Sequence, residues 1–102
     1  MAGAIHIDDV GVVFEATLLT NNVPFNIAAA VALELWFRRP DGRILKKTAS
    51  LTTNGTDGKM RYMSRANDLS YPGTWQWQPC VEFSTTTFHG DIQAFTVERN
   101  LA

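Results

Sequence analysis

Few side chains in this 102-residue chain could do covalent or metal chemistry. Histidine occurs at His6 and His89 only, and cysteine at Cys80 only. Two histidines and one thiol fall short of a structural zinc set, and a lone cysteine has no partner for an internal disulfide. Cys80 has neither a helix N-terminus nor an adjacent base to stabilise a thiolate, so a half-buried spectator thiol is expected. His6, between two isoleucines, reads as an outward edge residue, and His89, before Gly90-Asp91, as a surface or interface residue rather than a general base. Asp41-Gly42 and Asp57-Gly58 are turn formers with too few oxygen donors around them for calcium. The glycines are scattered and none opens a helix, so no phosphate-cradling loop is expected. These residues predict no catalytic, cofactor or metal site, and no enzyme.

Two other groups could bind a partner. Arg38, Arg39, Arg43, Lys46 and Lys47 place five positive charges within ten residues. Such a cluster is a solvated device that protects a sheet edge, a contact for the acidic face of a neighbouring protein, or a phosphate-binding patch. Nine basic residues against ten acidic ones, a net charge of −1, weigh against a dedicated nucleic-acid or membrane-surface binder. Trp36 alternates with Leu35 and Phe37, which puts its ring outside the main core or under a loop. There it could stack on a sugar or anchor a protein interface. The expected interaction surface is therefore Trp36, Arg38, Arg39, Arg43, Lys46 and Lys47.

The elements that must carry these residues are strands. Trp75, Trp77, Pro79, Val81 and Phe83 alternate with Thr74, Gln76, Gln78, Cys80 and Glu82, the period of a half-buried strand, and the two tryptophans should face the core. Val12 to Leu19 predicts another strand, with Phe14, Ala16 and Leu18 on one face, and Thr20-Asn21-Asn22 predicts a turn. Val23 to Ile27 reads as a short extended piece whose proline suits an edge. Three alanines, 28–30, make at most one helical turn. Val31 to Arg38 and Arg43 to Leu51 predict a hairpin closed by Arg39-Pro40-Asp41-Gly42, with Leu45, Lys47, Ala49 and Leu51 sharing a face. Thr52 to Gly58 is loop, Lys59 to Ser64 a strand, and Phe88 to Val97 a last strand paired with 74–83. Ile5 to Ile7 forms a short edge piece and Glu98 to Ala102 a tail.

Seven or eight short strands with frequent turns and no helix predict an antiparallel β-sandwich. The length suits one domain over 1–102 with a core of its own. An apolar content of 45% with 19% charged residues is ordinary for a globular chain. The N-terminus, Met1 to His6, carries no basic region or long apolar run, so no signal peptide is expected, and no apolar stretch approaches the about 20 residues of a membrane span.

A set of motifs in order suggests a family. Ile5-His6-Ile7 running to Gly11, Phe14-Glu15-Ala16-Thr17-Leu18, Phe37-Arg38-Arg39-Pro40-Asp41-Gly42, Gly55-Thr56-Asp57-Gly58-Lys59, Leu69-Ser70-Tyr71-Pro72-Gly73-Thr74-Trp75 and Phe95-Thr96-Val97 resemble small immunoglobulin-like virion proteins of tailed bacteriophages. They are similar in particular to the N-terminal domain of upper-baseplate proteins. Asn26 stands where that pattern has an aspartate. The resemblance implies an immunoglobulin-like sandwich of about seven to eight strands without catalytic or metal residues. It implies a virion component made in a bacterial cytoplasm, docking other virion proteins in a symmetric multi-copy assembly of the tail or baseplate. A capsid decoration protein and a glycan-binding module using Trp36 are the competing expectations.

Overall fold

The computed structural model describes residues 5–100, and within them the chain is all-β, with no helix. The eleven strands are β1 (Ile5–His6), β2 (Val13–Thr17), β3 (Leu19–Thr20), β4 (Val23–Pro24), β5 (Ala32–Arg38), β6 (Ile44–Thr48), β7 (Ser50–Leu51), β8 (Lys59–Met63), β9 (Gly73–Glu82), β10 (Thr87–His89) and β11 (Gln93–Glu98). The larger sheet runs β1-β11-β9-β5-β6, with β10 also on β9. A smaller sheet runs β2-β8-β7, and β3 and β4 form a two-stranded ladder. The N-terminal expectation over Met1–Ala4 and the end of the expected tail, Leu101 and Ala102, lie outside the described residues. No described helix is long and apolar enough to cross a membrane.

The predicted alternations supply the core. Trp75, Trp77 and Val81 from β9, Leu35 and Phe37 from β5, and Phe14 and Ala16 from β2 are all buried. Phe14 bridges the two sheets, its ring centroid 5.1 Å from Phe37, 5.8 Å from Trp77 and 4.9 Å from Phe95. The tilted and edge-on contacts suit aromatic quadrupoles better than face-to-face stacking. Trp75, fully enclosed, directs its indole N–H to the Tyr71 carbonyl at 3.0 Å, so burial leaves no donor unmet.

Eleven strands rather than seven or eight arise because three expected strands are interrupted. The run 12–19 breaks at Leu18, whose N–H donates to Gly58 while its carbonyl accepts from Phe25, both at 2.8 Å. The run 43–51 breaks at buried Ala49: β6 pairs with β5 in the larger sheet, whereas β7 pairs with β8 in the smaller one. One continuous stretch therefore serves both sheets.

The third interruption has a chemical cause in Pro79. This proline lies in β9, a central strand, and has no N–H to give. His89 pairs with Cys80 and Gln93 with Trp77, so Gly90, Asp91 and Ile92 oppose only Gln78 and Pro79: a bulge. Gly90 donates to the Pro79 carbonyl at 3.0 Å, and the return bond that Pro79 cannot make comes from the Gln78 side-chain amide to the Gly90 carbonyl, also 3.0 Å. A side chain thus replaces a missing main-chain donor.

The expectation of a purely antiparallel arrangement is corrected at one edge. β1 pairs parallel to β11, Ile5 opposite Val97 and His6 opposite Glu98, so the larger sheet is mixed. The turns behave as predicted: Asn21 and Asn22 adopt left-handed backbone at φ 51° and 65°, and Gly42 closes its hairpin at φ 91°.

Candidate functional site: the outer face of the larger sheet

Because strand side chains alternate, the residues between the core positions of β5, β6 and β9 form one outward face. Register aligns it in rows: Glu34 beside Thr48 and Cys80, Trp36 beside Lys46 and Gln78, Arg38 beside Ile44 and Gln76. Across this face runs an open groove of about 460 Å³ lined by Trp36, Arg38, Ile44, Lys46, Gln76, Gln78 and Ile92. Ile92, carried outward by the bulge, is 62% exposed and Ile44 44%, so the groove is lined mainly by apolar surface with the two glutamines and two cations among it.

Trp36 is at its centre and half-buried, as parity predicts. Its indole N–H donates to Glu34 Oε1 at 3.0 Å, the Lys46 ammonium lies 4.4 Å from the ring centroid, and the His89 ring meets it edge-on at 5.2 Å. The ring quadrupole attracts the ammonium and holds it in place. A sugar stacking on that ring face would have to displace the lysine, which weakens the glycan-platform reading.

The six expected interface residues do not form one patch. Trp36, Arg38 and Lys46 share the outer face. Lys47 is on the opposite face of β6, because adjacent strand residues point oppositely, and its ammonium is 3.0 Å from Asp68 Oδ1. Arg39 is at the hairpin, forked onto Asp41 and 3.9 Å over the Tyr71 ring. Arg43 is exposed there, its main-chain N–H donating to Asp41 Oδ1 at 3.1 Å. The Arg39 guanidinium and the Arg43 N–H hold the Asp41 carboxyl below its ordinary value. Of the five clustered cations, two therefore lie on the outer face and two others are committed to nearby carboxylates.

Cys80 is buried rather than half-buried. Burial first, then the charges of Glu34 and Glu82, push its thiol pKa up against a smaller opposing effect of Lys46, so the thiolate is disfavoured. His6 is half-buried, its main-chain N–H donating to Asp9 Oδ2 at 2.9 Å, and His89 is exposed at the edge of the face. Among the described residues no three His, Cys, Asp or Glu side chains converge to hold a metal.

On the inner side, Asp68 is a hub. Its carboxylate accepts from the Tyr62 hydroxyl, from the Arg65 N–H at 2.8 Å and from Lys47 at 3.0 Å, joining β8, the following loop and β6. Burial pushes the Asp68 carboxyl up, but these three donors outweigh it and hold it below the ordinary range. Burial, then the Asp68 hydrogen bond and charge, push Tyr62 up to about 12.

Sequence reasoning did not single out Ile44, Gln76, Gln78 and Ile92 as groove residues. The glutamines were visible as the outward half of the β9 alternation, whereas Ile92 owes its position to the bulge. No protein-family model matches this chain, and no curated protein matches it either.

Proposed function

We propose that this chain is a structural subunit of a tailed-phage virion, an immunoglobulin-like β-sandwich adaptor of the tail or baseplate that docks neighbouring virion proteins. The observation that carries this reading is the way the ordered motifs interlock. The Pro40-Asp41-Gly42 hairpin meets the Leu69-to-Trp75 motif directly: Arg39 lies over Tyr71, and a Cβ at Gly73 would come within 3.0 Å of the Pro40 ring. The Gly55-to-Lys59 motif in turn closes on the Phe14-to-Leu18 motif, through the 2.8 Å bond from Leu18 N–H to the Gly58 carbonyl. Residues that look like isolated turn signals in sequence are mutual packing partners, which supports reading the motifs as one set.

The outer groove, with an aromatic centre, apolar walls and cations, supports a protein-docking role for this adaptor. Quantitative mass spectrometry of purified phage particles produced with this gene present tests the proposal. The chain should copurify with particles at a low copy number matching tail symmetry. Hundreds of copies per particle would assign it to capsid decoration, and its absence from particles would overturn the reading.

A further inference from the structure

The outer face of the larger sheet carries both signs of charge, separated along the strands. Glu34 and Glu82 stand toward one end as diagonal neighbours across β5 and β9, since Glu34 pairs with Cys80 and Ala32 with Glu82. Lys46 is one row further on, beside Trp36, and Arg38 occupies the far row beside Gln76. Among the described residues, none of these four side chains comes within 4.0 Å of an opposite charge. Two carboxylates at diagonal positions on one face repel each other in the isolated chain; Lys46, diagonal to Glu34 on its other side, offsets this for Glu34 but not for Glu82. A uniformly acidic partner, nucleic acid included, would be attracted to the Arg38 end and repelled by the Glu34 end, and a uniformly basic one the reverse.

A second copy of this chain fits both ends at once. We propose that this face is a homodimer interface, with a two-fold axis lying in the face, crosswise to the strands, between the Glu34 and Trp36 rows. Such an axis reverses the strand direction and leaves the order across the sheet unchanged. Lys46 then approaches the partner copy's Glu34 and Arg38 its Glu82, each one strand to the side, and the symmetry repeats both contacts. Packed sheets lie about 10 Å apart, a gap that an arginine or lysine reaching toward a glutamate can span. Trp36, in the row next to the axis, supplies the apolar centre, with Ile44 beside Arg38 toward the periphery, and water exclusion there strengthens the flanking charge pairs.

The test is sedimentation equilibrium of the full chain, read as a dimer dissociation constant. Arg38 and Glu82 are both exposed, and neither side chain makes a hydrogen bond with another described residue, so R38E and E82R should leave the fold intact, checked by melting temperature. The expected result is a concentration-dependent wild-type dimer, at least about tenfold weaker in R38E and in E82R. The charge-swapped R38E/E82R should recover to within about threefold of wild type. A wild-type chain still monomeric at about 1 mM, single reversals without effect, or a double variant no tighter than the singles would each overturn the dimer. The inference rests on the charge layout of the face and not on the virion reading: a monomeric chain found in particles would sink the first and leave the second standing.

Discussion

Replacing Asp68 tests whether one carboxylate ties the two sheets together. Asp68→Asn keeps an oxygen for the Tyr62 hydroxyl and the Arg65 N–H but removes the charge and turns an amide donor toward Lys47. Hydrogen bonds to charged groups contribute about 1.5–3 kcal/mol each, of which a neutral acceptor retains part. The Asp68 side chain is only 13% exposed, so water substitutes poorly, whereas Lys47 at 29% puts the ion pair at the weaker end of the range. The expected net cost is about 2–3 kcal/mol at pH 7, which for a domain of this size lowers the melting temperature by roughly 10–15 °C. The pH dependence is the sharper criterion. Because the folded carboxyl titrates below its unfolded value of about 3.9, its contribution is complete above that pH and is lost as pH falls through the folded value. The gap between wild type and Asp68→Asn should therefore be full at pH 7 and shrink progressively below about pH 4. On the alkaline side Tyr62, raised to about 12, contributes fully below the unfolded value near 10, and that contribution disappears as pH rises through about 12. Ultraviolet titration should show a tyrosine ionising near 12 that is missing in Tyr62→Phe. Thermal melts from pH 2.5 to 7 that show a gap under about 0.5 kcal/mol, or one that does not change with pH, would refute the hub.

Two further substitutions probe the strand interruptions. Gln78→Ala removes the amide that stands in for the missing Pro79 donor and should cost about 1 kcal/mol in urea denaturation, while Gln76→Ala on the same face should stay within about 0.5 kcal/mol. Gly58→Ala places a methyl 2.6 Å from the Leu18 carbonyl oxygen at φ +72° and should lower stability by about 2 kcal/mol or more, seen as a lower urea midpoint.

What the sequence makes legible here is parity. Alternation alone separates Trp75, Trp77 and Val81 from Gln76, Gln78 and Glu82, and it sends Trp36 outward with Arg38. Asn21, Asn22 and Gly42 likewise mark their turns, because their left-handed preference is local. The illegible part is whatever a distant segment decides. Nothing near Ala49 signals that its strand changes sheets, since both halves keep the same alternation. Parity puts Lys46 and Lys47 on opposite faces, but does not show that Trp36 claims the one and Asp68 the other. Pro79 is the instructive intermediate: its missing N–H is written in the sequence, but the bulge depends on which strand lies on that side.

The parallel pairing of β1 with β11 bears on how the protein is made. Ile5 meets Val97, a separation of 92 residues, so the first described strand has no place in the sheet until the last one exists. On a ribosome adding about 5–20 residues each second, Ile5 and His6 wait for several seconds beside an unfinished sheet. Closing so long a loop is entropically costly before its contacts form, which makes this edge a late event in folding. Until then β11 presents a bare edge to other nascent chains, and the brevity of the two-residue strand that finally covers it makes that cover easy to displace.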